Sequence, residues 1–198
     1  MKANETAIIL IEFQNEFCKP NGKLHGLVKD ELQRQNTVAN AVKLATEARA
    51  KGCVIVHCPF IADGKWMDKH CLAGILHKIK VGGLFRPGTW GAKLIDELLP
   101  LQGDVVLQGK RALSGFTNTG LKDVLKKRRI RNVACAGLLT NVCVEATARS
   151  AYDKGHQVVI IKDATAAATQ VHQEYFEREI APVLGQALTA EEFLRALE

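Results

Sequence analysis

One cysteine lies where nucleophilic chemistry is favoured. Cys143 follows an apolar run that ends at Gly137, and a helical pattern begins a few residues after this glycine. Thr140 is a good N-cap for that helix and would place Cys143 in its first turn. Unpaired N–H groups at a helix N-terminus favour a thiolate over a thiol and are able to hold an oxyanion. Cys143 is therefore a candidate nucleophile, and a small buried hydrophobic residue is the alternative interpretation.

Two further reactive side chains follow apolar runs in the same way. Glu12 falls at the end of TAIILIEF, and Lys110 comes just beyond DVVL. A cation beside a thiol favours the thiolate, and a carboxylate takes and returns protons during attack and departure. Glu12, Lys110 and Cys143 together are what a cysteine hydrolase needs. His172 lies far along a helical segment, and we interpret it as a surface or packing histidine rather than a base.

These three residues meet only if the strands before them share one sheet. Continuously apolar runs predict strands buried on both faces, and helical patterns separate them. The predicted strands span residues 6–13, 53–58, 104–107, 132–136, 157–161 and 186–188. The predicted helices span residues 30–52, 89–99, 117–129, 141–154, 164–180 and 189–197, the last with a Thr-x-x-Glu capping pattern. This alternation predicts an α/β fold with an open, mainly parallel sheet of about six strands.

The segment 60–87 is long for a compact domain, and segments of this kind are commonly functional. Its pattern indicates irregular structure with a short helix around residues 68–77. Its histidines raise the question of a metal, and the four candidate ligands are His57, Asp63, His70 and His77. Their spacing matches no ligand motif, so we expect no metal and no cofactor.

Composition limits the class of protein. The chain has 198 residues, of which 47% are hydrophobic and 24% charged, as in a single globular domain spanning residues 1–198. No apolar run approaches the length of a membrane span, and the first one is too short for a secretory signal, so we predict a cytoplasmic protein that does not bind a membrane. None of the six cysteines forms a C-x-x-C pair, and no disulfide framework is expected.

The net charge of +6 raises the question of nucleic-acid binding. The visible concentration of charge is the run at residues 126–131, which closes a predicted helix. Cations there complement the helix C-terminus, and the run has no interleaved aromatic residues on which bases would stack. We interpret it as a solvated helix end and expect no nucleic-acid partner.

Several ordered blocks of the sequence resemble the isochorismatase-like cysteine hydrolase family, which includes nicotinamidases, N-carbamoylsarcosine amidases and isochorismatases. The blocks are IILIEFQNEF, similar to the family's I-D-x-Q-N-D-F strand, then PGTWGAKLIDELL, VVLQGKRALSGFTNTGL and GLLTNVCVEATARSA, similar to its G-x-x-T-x-x-C-V-x-x-T-A block. The resemblance runs nearly end to end. It implies a Rossmann-like three-layer α/β/α sandwich and a small-molecule substrate, and it suggests a homo-oligomer, a dimer or larger.

The resemblance also implies roles for particular residues. Cys143 would be the nucleophile, Lys110 the triad cation and Glu12 the triad acid. The family's cis peptide predicts a cis bond between Leu138 and Leu139, which would direct the N–H groups of Leu139 and Cys143 at the oxyanion. Candidate pocket-lining residues, for each of whose aromatic members a core position is the alternative, are Phe17, Phe60, Trp90, Phe116 and Leu138.

Two departures from the family pattern qualify this hypothesis. The triad acid is usually aspartate, whereas this chain has Glu12, and Glu16 shows the same change at a second acid. The D-x-H metal motif of nicotinamidases is absent after Pro59. The leading hypothesis is hydrolysis of a small amide or related C–N bond through a thioester. The alternatives are a vinyl-ether hydrolase of the isochorismatase type and a weakened family member with a binding role.

Overall fold

The computed structural model describes residues 1–198 and has one sheet of six parallel strands at its centre. The strands are β1 (Thr6–Ile11), β2 (Val54–Cys58), β3 (Val105–Val106), β4 (Asn132–Leu138), β5 (Gln157–Ala166) and β6 (Gly185–Leu188). Their order across the sheet is β3-β2-β1-β4-β5-β6. Every residue of β1 is buried, because this strand has a neighbour on each side and helices over both faces. The predicted parallel sheet is confirmed.

Ten α-helices surround the sheet. They are α1 (Asn15–Cys18), α2 (His25–Arg34), α3 (Thr37–Ala50), α4 (Gly64–His70), α5 (Gly74–Val81), α6 (Leu121–Lys127), α7 (Glu145–Asp153), α8 (Gln170–Tyr175), α9 (Ala181–Leu184) and α10 (Ala190–Arg195). None has the length and apolar character needed to cross a membrane.

The alternating side chains of β1 show how the layers are organised. Ile8 and Leu10 pack into a core with residues of α2, α3 and α10, whereas Ala7, Ile9 and Ile11 pack into a second core with residues of α6, α7 and α9. Successive residues of a strand point to opposite faces, so each face of the sheet buries its own apolar cluster. The three-layer α/β/α sandwich is confirmed.

The strand order reverses at β1, and this reversal creates the crevice. The chain passes from β1 outward to β2 and β3, then returns to the other side of β1 as β4. Ile11, the last residue of β1, pairs with both Cys58 and Gly137, so the strands end at nearly the same level. In open parallel sheets ligands bind at such a point, beyond the carboxyl ends of the strands.

The helix predicted over residues 30–52 is in fact two helices, α2 and α3. Asn36 lies between them in the left-handed conformation, with φ of 51°, which asparagine tolerates better than most residues. The side-chain amides of Gln35 and Asn40 donate to the carbonyls of Lys162 and Asp163 at 3.4 and 3.0 Å. These contacts with a distant strand favour the break, and local propensity does not reveal them.

The helix predicted over residues 89–99 is wrong. Only the short 3₁₀ turn Asp96–Leu98 is helical there. The carbonyl of Gly91 instead accepts a hydrogen bond from the N–H of Glu16 at 2.9 Å, so this segment supports the chain that follows β1. A Cβ on Gly91 would come within 1.8 Å of a carboxylate oxygen of Glu16. The backbone at Gly91 therefore lies closer to Glu16 than the backbone of a helix that carries side chains is able to lie.

Other boundaries differ less. The segment 60–87 contains two helices, α4 and α5, where one short helix was predicted. Strand β5 continues to Ala166, so the helix predicted from residue 164 begins instead at Gln170. The capping box of the last helix is confirmed, with reciprocal hydrogen bonds between Thr189 and Glu192.

We expect Gly137→Ala to destabilise the fold strongly. Gly137 has φ of 131°, and a Cβ there would lie 2.0 Å from the carbonyl oxygen of Ile11 in the neighbouring strand. The clash and the unfavourable φ should lower the free energy of unfolding by about 3 kcal/mol, measured by urea denaturation. Gly155→Ala is the matched control, since Gly155 also has positive φ, 83°, but has no atom within 4 Å of the added Cβ. Equal losses in the two variants would contradict the close approach of β1 and β4.

Candidate active site

The structure brings Glu12, Lys110 and Cys143 together at the carboxyl edge of the sheet. Glu12 follows β1, Lys110 comes after β3, and Cys143 lies in the helical turn after β4. All three are buried, with exposed fractions of 3%, 0% and 7%. The Lys110 ammonium donates a hydrogen bond to Oε1 of Glu12, and the thiol of Cys143 interacts with both side chains. One anion, one cation and one thiol thus share a site with little access to water.

The backbone of Glu12 has an uncommon conformation that directs its carboxylate. Its φ is 57°, in the left-handed region that glutamate seldom adopts. The N–H of Glu12 donates to the carbonyl of Cys58 at 3.2 Å, and its own carbonyl accepts from the N–H of Gln14 at 2.7 Å. These bonds tie the residue to the end of β2 and turn the chain sharply. Such conformations often mark functional sites.

Lys110 is a fully buried cation between an acid and an aromatic ring. Its Nζ lies 4.9 Å from the centroid of the Phe60 ring, and its carbonyl accepts the N–H of Ile61 at 2.9 Å. Burial opposes the charge, but the carboxylate of Glu12 raises the pKa of Lys110 above its usual value. Lys110 is therefore protonated throughout the physiological pH range.

The thiol of Cys143 keeps its proton in the resting site, contrary to the sequence-based expectation. Burial raises its pKa most, the negative charge of Glu12 raises it further, and Lys110 lowers it in part.

The predicted capping of the helix by the side chain of Thr140 is wrong, because the cap position is Leu139. The turn Thr140–Val144 is wider than an α-helix, and the N–H of Val144 reaches the carbonyl of Leu139 at 3.2 Å.

The peptide bond between Leu138 and Leu139 is cis, as predicted. Leu138 is the last residue of β4, and Leu139 precedes the turn that carries Cys143. The carbonyl of Leu139 accepts the N–H groups of Val142 and Val144, which holds this residue against the turn. The assignment of the N–H groups of Leu139 and Cys143 to an oxyanion hole stays a prediction.

Gln173 was not identified from the sequence. Its side-chain amide is fully buried and forms hydrogen bonds with several chain segments around the candidate site. Its Oε1 accepts the hydroxyl of Thr140 at 2.6 Å and the N–H of Ala167 at 3.0 Å. Its Nε2 donates to Glu177 at 2.7 Å and to Thr165 at 3.1 Å. Thr140 begins the turn that carries the thiol, so Gln173 positions that turn on β5 and α8.

The sequence does contain a signal for Gln173. It lies three residues before Phe176, which is fully buried, so the glutamine occupies the apolar face of the predicted helix. A polar residue on such a face needs hydrogen-bond partners, because an unpaired buried amide is costly. The pattern indicates a buried amide but does not reveal its partners.

Two of the predicted pocket aromatics, Phe17 and Phe60, lie on one aromatic row. The ring centroids of Phe17 and Phe85 are 5.4 Å apart, and those of Phe60 and Phe85 are 5.5 Å apart. Phe85, which sequence reasoning missed, is fully buried with φ of 51°. The amide of Gln14 exchanges two hydrogen bonds with the backbone of Phe60, at 2.9 and 2.8 Å. The row extends from Lys110 through Phe60 and Phe85 to Phe17.

The other three predicted pocket residues lie elsewhere. The ring of Phe116 stacks on His156 with centroids 6.5 Å apart, and Lys154 lies over it, so it contacts the far end of α7 rather than the three candidate catalytic residues. Trp90 is half exposed, and its carbonyl, not its ring, is held by Asn15. Leu138 packs in the core beneath the sheet edge. A side chain that is close in sequence to a candidate catalytic residue need not point toward the same site.

A cavity of about 370 Å³ lies at the outer end of the aromatic row. Phe17 and Leu139 form part of its wall, so the two chain segments that follow Glu12 and precede Cys143 both reach it. Its remaining wall is mostly apolar. The volume is in the range of small-molecule pockets. We refer to it below as the apolar cavity.

The four residues considered for a metal are dispersed. His57 is hydrogen-bonded to Asp104, His70 stacks on Trp66, and the ring of His77 reaches the carbonyl of Cys71. The carboxylate of Asp63 instead pairs with Arg111. No three His, Cys, Asp or Glu side chains are grouped for a metal. All six cysteines are free.

Comparison with known proteins identifies relatives over most of the chain. The family model described as the isochorismatase domain matches residues 6–192. The ureidoacrylate amidohydrolase RutB of Agrobacterium fabrum is 31% identical over 177 residues, which cover 83% of this chain and 77% of that protein. A cysteine hydrolase from Pseudomonas syringae pv. phaseolicola superimposes with a TM-score of 0.83 at 27% identity, covering 98% of this chain and 93% of that one. N-carbamoylsarcosine amidase from Thermoplasma acidophilum gives 0.75 at 27% identity, with coverages of 96% and 98%.

Proposed function

This chain is a hydrolase of the isochorismatase family, and we propose that it cleaves the C–N bond of a small amide through a thioester on Cys143, or that of a ureide through the corresponding thiocarbamate. The observation that carries the proposal is the buried contact of Cys143 with Glu12 and Lys110. A thiol beside a carboxylate that accepts its proton is the arrangement of an activated nucleophile. Relatives named as a ureidoacrylate amidohydrolase and an N-carbamoylsarcosine amidase act on such bonds.

The reaction begins with proton transfer. Because burial and Glu12 raise the pKa of Cys143, the resting thiol is protonated, and Glu12 removes the proton as the sulfur attacks the carbonyl carbon. The negative charge moves to the former carbonyl oxygen, which accepts hydrogen bonds from the N–H groups of Leu139 and Cys143. Lys110 stays protonated and stabilises the charge that develops on the sulfur.

The same carboxyl group completes the reaction. The tetrahedral intermediate collapses, the C–N bond breaks, and protonated Glu12 gives its proton to the leaving amine or ammonia. A water molecule then enters, Glu12 takes its proton, and the hydroxide attacks the thioester. The C–S bond breaks, the acid product leaves, and the proton returns to the sulfur. Glu12 thus acts as base and acid in turn, as microscopic reversibility requires.

Glutamate in place of the usual aspartate fits this role. The carboxylate of Glu12 contacts Lys110 directly, and its left-handed backbone sets where the longer side chain begins. We propose that the site is built around the longer acid rather than weakened by it.

The cytoplasmic location and the assembly into homo-oligomers also stay proposals.

A partitioning experiment tests the thioester. Carboxamides and ureides are screened for ammonia release, and an active amide is then compared with the p-nitroanilide of the same acid in the presence of hydroxylamine. A shared acyl-enzyme predicts the same ratio of hydroxamate to free acid from both substrates, because the leaving group has departed before partitioning. A ratio that depends on the leaving group, or hydrolysis without hydroxamate, would contradict a covalent intermediate.

A further inference from the structure

The apolar cavity shares its inner wall with the segments that carry the triad. Phe17 belongs to α1, which follows Glu12 closely, and Leu139 is the residue assigned to the oxyanion hole. Leu139 therefore links the two places, because a substrate whose carbonyl meets the N–H of Leu139 is able to extend into the cavity that the same residue lines. The residues that line the cavity then determine which chemical groups are favoured in the non-reacting part of the substrate.

The outer wall of the cavity is hydrocarbon. Leu24 and Leu27 come from the start of α2, and Ile75 and Ile79 come from α5. Leu27 and Ile75 are large apolar side chains left partly exposed, so the cavity opens between the two helices. Such a surface favours a ligand with apolar atoms and offers no side-chain partner to a neutral polar group along its length.

A single charged side chain, Lys78, lies in the cavity wall. Lys78 makes no ion pair within the chain, whereas Lys80, on the same helix, is paired with Asp68. No acidic residue contributes to the wall. The cavity thus combines an apolar interior with an unpaired positive charge, which attracts an anionic group and disfavours a cationic one.

Resting on the proposed function, we infer that the apolar cavity binds the non-reacting part of the substrate, a hydrocarbon chain or ring that ends in a carboxylate beside Lys78. The substrate class is then a small apolar amide or ureide with a distal carboxylate. An exposed ion pair adds little affinity, so most of the binding comes from the hydrocarbon and Lys78 sets the preference among end groups.

Binding to full-length protein carrying Cys143→Ala tests this inference without turnover. Hexanoate, hexanol and hexylammonium differ in end group, and butanoate is a shorter acid; all are titrated by calorimetry. We expect hexanoate to bind about three- to fivefold more tightly than hexanol, and hexylammonium to bind most weakly. Butanoate should bind about fifteenfold more weakly than hexanoate, because each buried methylene contributes about fourfold.

Second substitutions identify the residues responsible. Lys78→Met should remove the preference for hexanoate over hexanol, whereas the matched control Lys80→Met should keep it. Leu24→Trp should fill the cavity and weaken every ligand at least tenfold. Leu24 is only partly buried, so this variant should fold normally, which thermal unfolding checks. Unchanged binding in Leu24→Trp, or no effect of Lys78→Met on the preference, would overturn the inference.

The inference and the proposed function fail in different ways. If the ligands do not bind while the wild-type protein hydrolyses other amides through Cys143, the cavity is not the substrate site and the function stands. If the ligands bind in the expected order but no amide of this class is hydrolysed, the site stands and the proposed reaction is wrong.

Discussion

Replacing Cys143 with alanine should lower kcat for amide hydrolysis by about 10⁴-fold or more. The thiol is the only group in the site that is able to form the proposed covalent bond, and neither Glu12 nor Lys110 is able to replace it. The methyl group of alanine is smaller than the thiol, so the buried pair beneath it should remain. The measurement is kcat on the best amide found by screening, together with the thermal unfolding midpoint of each protein.

Cys135→Ala is the matched control for this substitution. Cys135 is also buried in the sheet core and belongs to the same apolar cluster, but it does not contact Glu12. We expect its loss to change kcat by less than about threefold while costing stability of roughly 1 kcal/mol. Amide hydrolysis retained in Cys143→Ala would instead mean that water attacks the amide directly, without a covalent intermediate on the sulfur.

Glu12→Gln should change two rates in opposite directions. Hydrolysis should fall by roughly 10³-fold, because the proposed general base and acid is lost. Alkylation of Cys143 by iodoacetamide at pH 8 should rise severalfold. The negative charge of Glu12 raises the pKa of this thiol, so a neutral amide lets the pKa fall, with Lys110 now unopposed. The thiolate fraction at a given pH increases, and the midpoint of the alkylation profile moves to lower pH.

The experiment follows alkylation at each cysteine by peptide mapping between about pH 6 and pH 10. Burial raises the pKa of Cys58 and Cys135 to about 12, so these thiols should contribute little. Glu16→Gln is the matched control, since Glu16 is a second buried glutamate but receives the N–H of Lys23 rather than the thiol. It should leave the Cys143 profile unchanged. A fall in both rates in Glu12→Gln would mean that Glu12 holds the site together rather than moving a proton.

The sheet and the positions of the three candidate catalytic residues were predictable because they depend on local patterns. Continuous apolar runs mark buried parallel strands, and residues just beyond such runs lie at one edge of the sheet. Glu12, Lys110 and Cys143 all follow this rule. The charge state of the thiol was not predictable, because it depends on how completely the site excludes water and on which of two opposite charges dominates.

The predictions that failed involve contacts between distant parts of the chain. Gly91 supports the chain at Glu16 instead of continuing a helix, and the amides of Gln35 and Asn40 find partners on β5. Phe85 completes the aromatic row from the part of segment 60–87 that the sequence predicts to be irregular. Each of these is a long-range contact, which periodicity and propensity do not encode.

The burial of one cation and one anion around a neutral thiol has a consequence for every step of the proposed reaction. When the proton passes from sulfur to Glu12, the carboxylate loses its charge and the sulfur gains one, so the sum over the three side chains remains zero. When the sulfur attacks, that charge passes to the substrate oxygen, and the sum including the substrate's reacting group is still zero. In the proposed reaction the protein interior therefore never has to accommodate a net charge, which is the state that a water-poor site tolerates least.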